Sequence, residues 1–221
     1  MQKIDLLKLE SELKLPDELY KYFGIVKMHL KKLFNFKKNL NEFEYINNKI
    51  IDYVFENIYD KIYPQKPSEE DNIIYKKCLL LSNRVNYKCF IEEKNNYLVF
   101  YCFLKDIFGY FEKIEKEKSP RKKLFNISLI FASITNAFTF FDKNIPVADD
   151  ILPILNYVCI EAHPLNILTN CRFISLFLDP ENINSNLREL ESTYLRIINM
   201  SDNQLSHFTE EIFRRLILRT S

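Results

Sequence analysis

The stretch Ser119-Pro120-Arg121-Lys122-Lys123-Leu124-Phe125-Asn126-Ile127-Ser128-Leu129-Ile130-Phe131, continuing to Phe141, decides the fold. Serine is a preferred N-cap, and proline at the first helical position lacks only an N–H that would have no intrahelical partner there. Ser119-Pro120 therefore predicts a helix start. Leu124, Ile127, Phe131, Ile134, Phe138 and Phe141 then recur at alternating spacings of three and four, which is one face of a helix. Phe125, Leu129, Ile130 and Phe140 are apolar on the other faces. That pattern predicts a helix buried on nearly all sides, central to the second half of the chain. The eighteen residues Leu124–Phe141 carry no charge, the lower limit for a membrane span. Six of them are Asn, Ser or Thr, so a buried core helix is the expectation.

Working outward, every other segment reads as helix. Leu6, Leu9 and Leu13 share helical spacing up to Pro16, which is expected to stop that segment. Asp17 and Glu18 then read as the start of a second helix, with its seam at Leu19, Phe23, Val26, Leu30 and Leu33. Lysines cluster at the far end of that helix, around Phe34 and Phe36. They read as a solvated helix end, with contact to an anionic membrane surface as the other reading. Phe43, Ile46, Ile50, Val54, Ile58 and Ile62 form a further face, closed by Pro64 and Pro67. Ser68-Glu69-Glu70-Asp71 resembles a capping box. It opens a helix through Ile74, Cys78 and Leu81, and an aromatic-rich helix spans Tyr97–Ile114. The alternating charges of Glu112–Lys118 read as the boundary between two halves, 1–118 and 119–221, with 1–39 as a possible extension. Later helices are expected at Ile151–Ala162, Leu165–Leu178, Asn186–Met200 and Thr209–Leu218. Period-2 alternation is absent over any useful length, so the fold class is all-α.

With 221 residues and 47% hydrophobic content the chain can bury a sizeable core. A formal net charge of +1 implies neither a nucleic acid nor another strongly charged partner from overall balance. The five cysteines (Cys78, Cys89, Cys102, Cys159 and Cys171) show no metal-ligand spacing. They read as reduced, buried small hydrophobes of a cytosolic protein. Two glycines, Gly24 and Gly109, make a phosphate-cradling loop implausible. No local signature supports a nucleophilic pair such as Cys171 with His163. The remaining chemistry is carboxylate. In Ile145-Pro146-Val147-Ala148-Asp149-Asp150-Ile151-Leu152-Pro153-Ile154-Leu155 two adjacent acids precede a strongly apolar helix. The plain reading is a cap followed by a first-turn proline. One acid, Asp149 or Asp150, suffices to cap, which leaves the other available at the helix N-terminus.

These residues resemble a known family. Ser119–Leu124, Ala148–Leu155, Tyr157-Val158, Pro164, Leu168-Thr169-Asn170, Phe173-Ile174, Phe177 and Asp179-Pro180 are similar to the catalytic core of the vacuolar-protein-sorting-nine (Vps-nine) domain. The likeness is good over about 119–180 and extends only in helical pattern over 40–118. It implies a layered all-α core with a packed N-terminal helical bundle. The implied activity is guanine nucleotide exchange on Rab-five-type small GTPases, in their GDP-bound and nucleotide-free forms. It further implies a cytoplasmic protein, peripheral on endosomal membranes, with no cofactor, no metal and no bond chemistry of its own. By the same likeness Asp149 is the catalytic acid and Pro153 the motif proline. Asp150, Asn170, Thr193 and Tyr194 are expected to bind the GTPase. Leu190 stands where the family carries a contacting tyrosine, Thr193 holds the threonine place, and Tyr194 lies one helical turn beyond Leu190. The missing tyrosine keeps a second reading open, a helical GTPase-binding or scaffold module without exchange activity.

Overall fold

The computed structural model describes the backbone of residues 6–33, 40–82, 94–142, 148–201 and 204. Among these residues eight α-helices follow in order: α1 (Leu6–Leu33), α2 (Leu40–Ile62), α3 (Glu69–Ser82), α4 (Lys94–Lys116), α5 (Pro120–Asp142), α6 (Ala148–Ala162), α7 (Ile167–Phe177) and α8 (Ser185–Asn199). A short 3-10 turn, Pro180–Asn182, links the last two. No strand occurs among the described residues, and the all-α reading holds. The helix predicted at Thr209–Leu218, together with Phe34, Phe36, Cys89 and His207, lies outside them. Among the described residues no helix is long and apolar enough to cross a membrane.

Several helix boundaries follow from caps visible in the sequence. α5 begins at Pro120, as Ser119-Pro120 predicts. α3 begins after Ser68, whose hydroxyl accepts the Asp71 N–H at 3.0 Å and donates to the Asp71 carboxylate at 2.7 Å. Pro16, in contrast, does not end a helix: α1 runs through it from Leu6 to Leu33. An interior proline costs about 3 kcal/mol. Leu15, Leu19 and Phe23 offset this by packing together into the aromatic cluster of Phe55, Tyr59, Phe173 and Phe177. Asp17 and Glu18 consequently lie inside α1 rather than at a start.

Among the described residues the longest buried run lies in α6 rather than in α5. Ile154 through Ile160 are seven consecutive buried residues, and α6 packs against α3, α4, α5 and α8. α5 instead leaves Phe125 and Phe140 about 60% exposed (61% and 59%) and inserts Ile127, Ile130 and Ile134. Hydrophobicity on every face was a sound sign of burial for α6, where polar side chains are fewer. In α5 the outward positions also include Ala132, Asn136 and Thr139, which tolerate solvent.

A single core runs from α3 through α8, crossing residue 118, because α4 and α5 form the most extensive helix pair. The α1–α2 hairpin joins this core through the aromatic cluster, where Phe55 meets Phe173 and Phe177 edge-on at 6.1 and 5.6 Å between centroids. It also joins through charge. Asp52, Glu56 and Asp60, one turn apart on α2, pair with Arg121, Lys122 and Lys118 at 2.5, 3.0 and 2.7 Å. Asp52 is the buried member and also accepts the Ser119 hydroxyl at 2.6 Å. The two exposed pairs contribute little by comparison.

Candidate functional site

The acidic pair sits at the start of α6. The helix opens at Ala148, so Asp149 and Asp150 are its second and third residues. The helix starts three positions ahead of the expected Ile151, so neither acid is its cap and both stand within the first turn. Negative charge there is favoured by the helix dipole. Pro153 is the sixth residue, in the second turn rather than the first. Having no N–H, it leaves the Asp149 carbonyl without its usual helical donor. The buried run Ile154–Ile160 anchors this end, and burial falls off toward it, Ile151 and Leu152 being partly exposed.

Three residues expected on a docking face lie inside the molecule instead. Asn170, Thr193 and Tyr194 are all 0% exposed, as is Leu190. Tyr194 faces α6 and donates its hydroxyl to the Cys159 carbonyl at 3.1 Å. The physical reason lies at the end of α6. His163 adopts φ 29°, and its N–H bonds Ile160 at 3.3 Å, so the Cys159 carbonyl is not closed by that N–H and takes the tyrosine. Thr193 accepts Arg196 at 3.2 Å. The outward face of α8 is Arg188, Ser192, Arg196 and Asn199, which line an open cleft of about 480 Å³ with Glu191, Leu195, Met200 and Gln204.

Asn170 belongs to a buried polar knot. Its side-chain oxygen accepts Lys123 Nζ at 2.7 Å and the Tyr63 hydroxyl at 2.9 Å. Lys123, also 0% exposed, donates further to the Ile114 carbonyl at 2.6 Å, near the end of α4. Its ammonium lies 5.2 Å from the ring centres of both Tyr59 and Tyr63, within cation–π range. Burial is the largest influence on this amine and brings it down to about 8, while Glu115 and Glu117 oppose the change. An unfolded lysine titrates near 10.4. Between those values the unfolded chain holds more protons, so this group makes the protein more stable as pH rises through that window. Burial raises Tyr59 and Tyr63 well above 10, and above pH 10 they reverse the trend, because the folded state then holds more protons. Urea unfolding at pH 7.5 and pH 10 is expected to show a relative gain of about 2 kcal/mol in the wild type over Lys123→Met. Equal pH dependence in the two proteins would remove this account of Lys123.

The helix α3 supplies the caps that sequence reading missed. Asp71 is 0% exposed. Its carboxylate accepts the Leu168 N–H at 2.8 Å, the Thr169 N–H at 3.3 Å and the Thr169 hydroxyl at 2.5 Å. These amides are orphan donors of the first turn of α7. Asn166, the residue before α7, makes no side-chain cap of its own. It is instead gripped by Glu115 through its N–H and side-chain amide, both at 3.0 Å. Two turns from Asp71, Lys77 donates to the carbonyls of Ile198 and Met200 at 2.5 and 2.7 Å, closing the C-terminus of α8. One helix thus gives an anion to a positive helix end and a cation to a negative one.

Cysteine chemistry finds no support in this arrangement. Cys78, Cys159 and Cys171 are buried, as expected, whereas Cys102 is exposed. Burial lifts the Cys171 thiol well above its ordinary value, opposite to what a nucleophile needs.

Residues 104–195 match the family model of the vacuolar sorting protein 9 (VPS9) domain. The chain is 41% identical over 61 residues to the receptor-mediated endocytosis protein 6 homolog of Drosophila pseudoobscura pseudoobscura. That alignment covers 28% of this chain and 3% of the relative. The matched segment runs from within α4 through most of α8, and over that length the chain is similar to the VPS9 domain.

Proposed function

We propose that the chain is a guanine nucleotide exchange factor for a Rab-five-type small GTPase, acting from the cytoplasmic side of endosomal membranes. The observation that carries this reading is the position of Asp149-Asp150 in the first turn of α6, within the family-matched segment, with Pro153 one turn on. A GTPase holds GDP through Mg²⁺ and a phosphate-binding lysine. A carboxylate brought to that place pairs with the lysine, repels the phosphates and competes for the space of the metal. Asp149 takes this role, and Asp150 contacts the GTPase beside it. No bond is made or broken. Preference for the nucleotide-free GTPase weakens nucleotide binding by the same factor, by linkage. Asn170, Thr193 and Tyr194 support this surface from within, through the contacts described above.

The second reading, a GTPase-binding module without exchange activity, is favoured by one observation: Leu190, Thr193 and Tyr194 offer no exposed surface on α8. A panel of Rab GTPases loaded with fluorescent GDP separates the two. Acceleration of release from a Rab-five-type member is the expected result. Tight binding to the nucleotide-free GTPase with release at the intrinsic rate would establish the second reading instead.

A further inference from the structure

The helix α1 has two apolar faces, and packing accounts for only one. Leu15, Leu19 and Phe23 are turned into the aromatic cluster on α2 and α7. On the opposite side Lys14, Glu18, Lys21, Ile25, Met28 and Lys32 follow at spacings of four, three, four, three and four along a single line of the helix, with the acids Asp17 and Glu18 confined to its N-terminal part. Ile25 is 52% and Met28 48% exposed, with Tyr22, at 50%, on their flank. A helix that already buries one side needs nothing apolar on the other. Between Leu19 and Leu33 there are four lysines and no acid. Among the described residues no ion pair engages any of those lysines, and Lys31 lies over the Phe43 ring at 5.8 Å.

We propose that this outward line of α1 is a docking surface for an anionic phospholipid bilayer. Ile25 and Met28 enter the headgroup boundary, and Lys21 and Lys32, beyond the acids Asp17 and Glu18, meet lipid phosphates and carboxylates at its surface. Charge complementarity selects this occupant. Apolar side chains framed by cations suit a medium that is anionic at the surface and apolar just beneath. Long lysine stems let the ammonium groups stay at headgroup level while the helix lies flat. The inner face holds the helix in place, so the surface is presented without a folding step. The proposal does not rest on the exchange reading, and its test contains no GTPase.

Co-sedimentation of the full chain with vesicles is the experiment. The wild type is expected to bind phosphatidylcholine vesicles containing phosphatidylserine, to ignore pure phosphatidylcholine, and to lose binding as salt is raised. Ile25→Ser with Met28→Ser, and separately Lys21→Glu with Lys32→Glu, should each weaken binding at least about tenfold. These side chains face solvent, so both variants should keep the wild-type circular dichroism and melting temperature. Three results would each overturn the proposal: no binding by the wild type, equal binding to both vesicle types, or variants that bind as the wild type does. Self-association or a protein ligand on this face without vesicle binding would overturn it as well.

Discussion

Asp71→Ala is expected to cost about 3 kcal/mol or more of stability, the largest effect of any single truncation outside the apolar core. The substitution strips a cap from α7, which alone costs about 1 kcal/mol. It also leaves the Leu168 and Thr169 amides and the Thr169 hydroxyl facing a hole from which water is largely excluded. Each buried group without a partner adds about 1 kcal/mol or more. Asp71→Asn keeps one acceptor oxygen but turns donors toward donors, so it should recover only part of the loss. Urea unfolding measures the total. Hydrogen exchange at Leu168 and Thr169 locates it, and those amides should lose protection before the rest of α7. A loss below about 1 kcal/mol would show that α7 does not depend on α3 for its cap. Asp71 and Lys77 stand outside the family-matched residues 104–195, yet they close helix ends within or beside them. A fragment starting at residue 104 should therefore be much less stable than one starting ahead of Ser68.

How far the sequence reaches depends on the range of the interaction that decides each feature. Helix starts fixed by local chemistry were legible: Ser119-Pro120 opens α5, and Ser68 opens α3 through the Asp71 amide. The all-α class followed from periodicity alone. Pro16 misled because its local cost is outweighed by tertiary packing of Leu15, Leu19 and Phe23, contacts that no local rule reports. The burial expected on nearly all sides of α5 failed for a related reason. α5 and α6 are both apolar on several faces, and only the assembly shows that Phe125 and Phe140 of α5 face solvent. At the site, the start of α6 beside the acids was readable to within three residues. The surroundings of Asn170, Thr193 and Tyr194 were not. Each residue's type suits either a docking surface or a buried hydrogen bond, and the buried partners lie far off in sequence: Lys123, Tyr63 and Cys159. Asp71 shows the same limit from the other side. Its local box with Ser68 was visible, while its role on α7, 97 residues away, was not.

Asp149→Ala should reduce GDP release from the cognate GTPase by roughly thirtyfold or more, corresponding to about 2 kcal/mol. The estimate follows from what the side chain has to do. In a partly dry interface a carboxylate paired with a cation contributes a few kcal/mol. In the proposed role the same carboxylate opposes the phosphates, so its loss should affect the nucleotide-bound and nucleotide-free complexes in opposite senses. Asp149→Asn keeps the size and most of the hydrogen bonding but not the charge. If charge is what acts, the amide should be nearly as impaired as alanine. If shape or a hydrogen bond acts, it should approach the wild type. Asp150→Ala is the control within the same turn, since it changes the helix N-terminus by the same unit of charge. It should weaken GTPase binding and raise the concentration needed for half-maximal exchange, with a smaller effect on the maximal rate. Equal losses of maximal rate from the two alanine variants would reduce the pair to a general acidic patch. Full activity in Asp149→Ala would place the exchange chemistry elsewhere, and the outward face of α8, with Arg188 and Arg196, would be the next surface to vary.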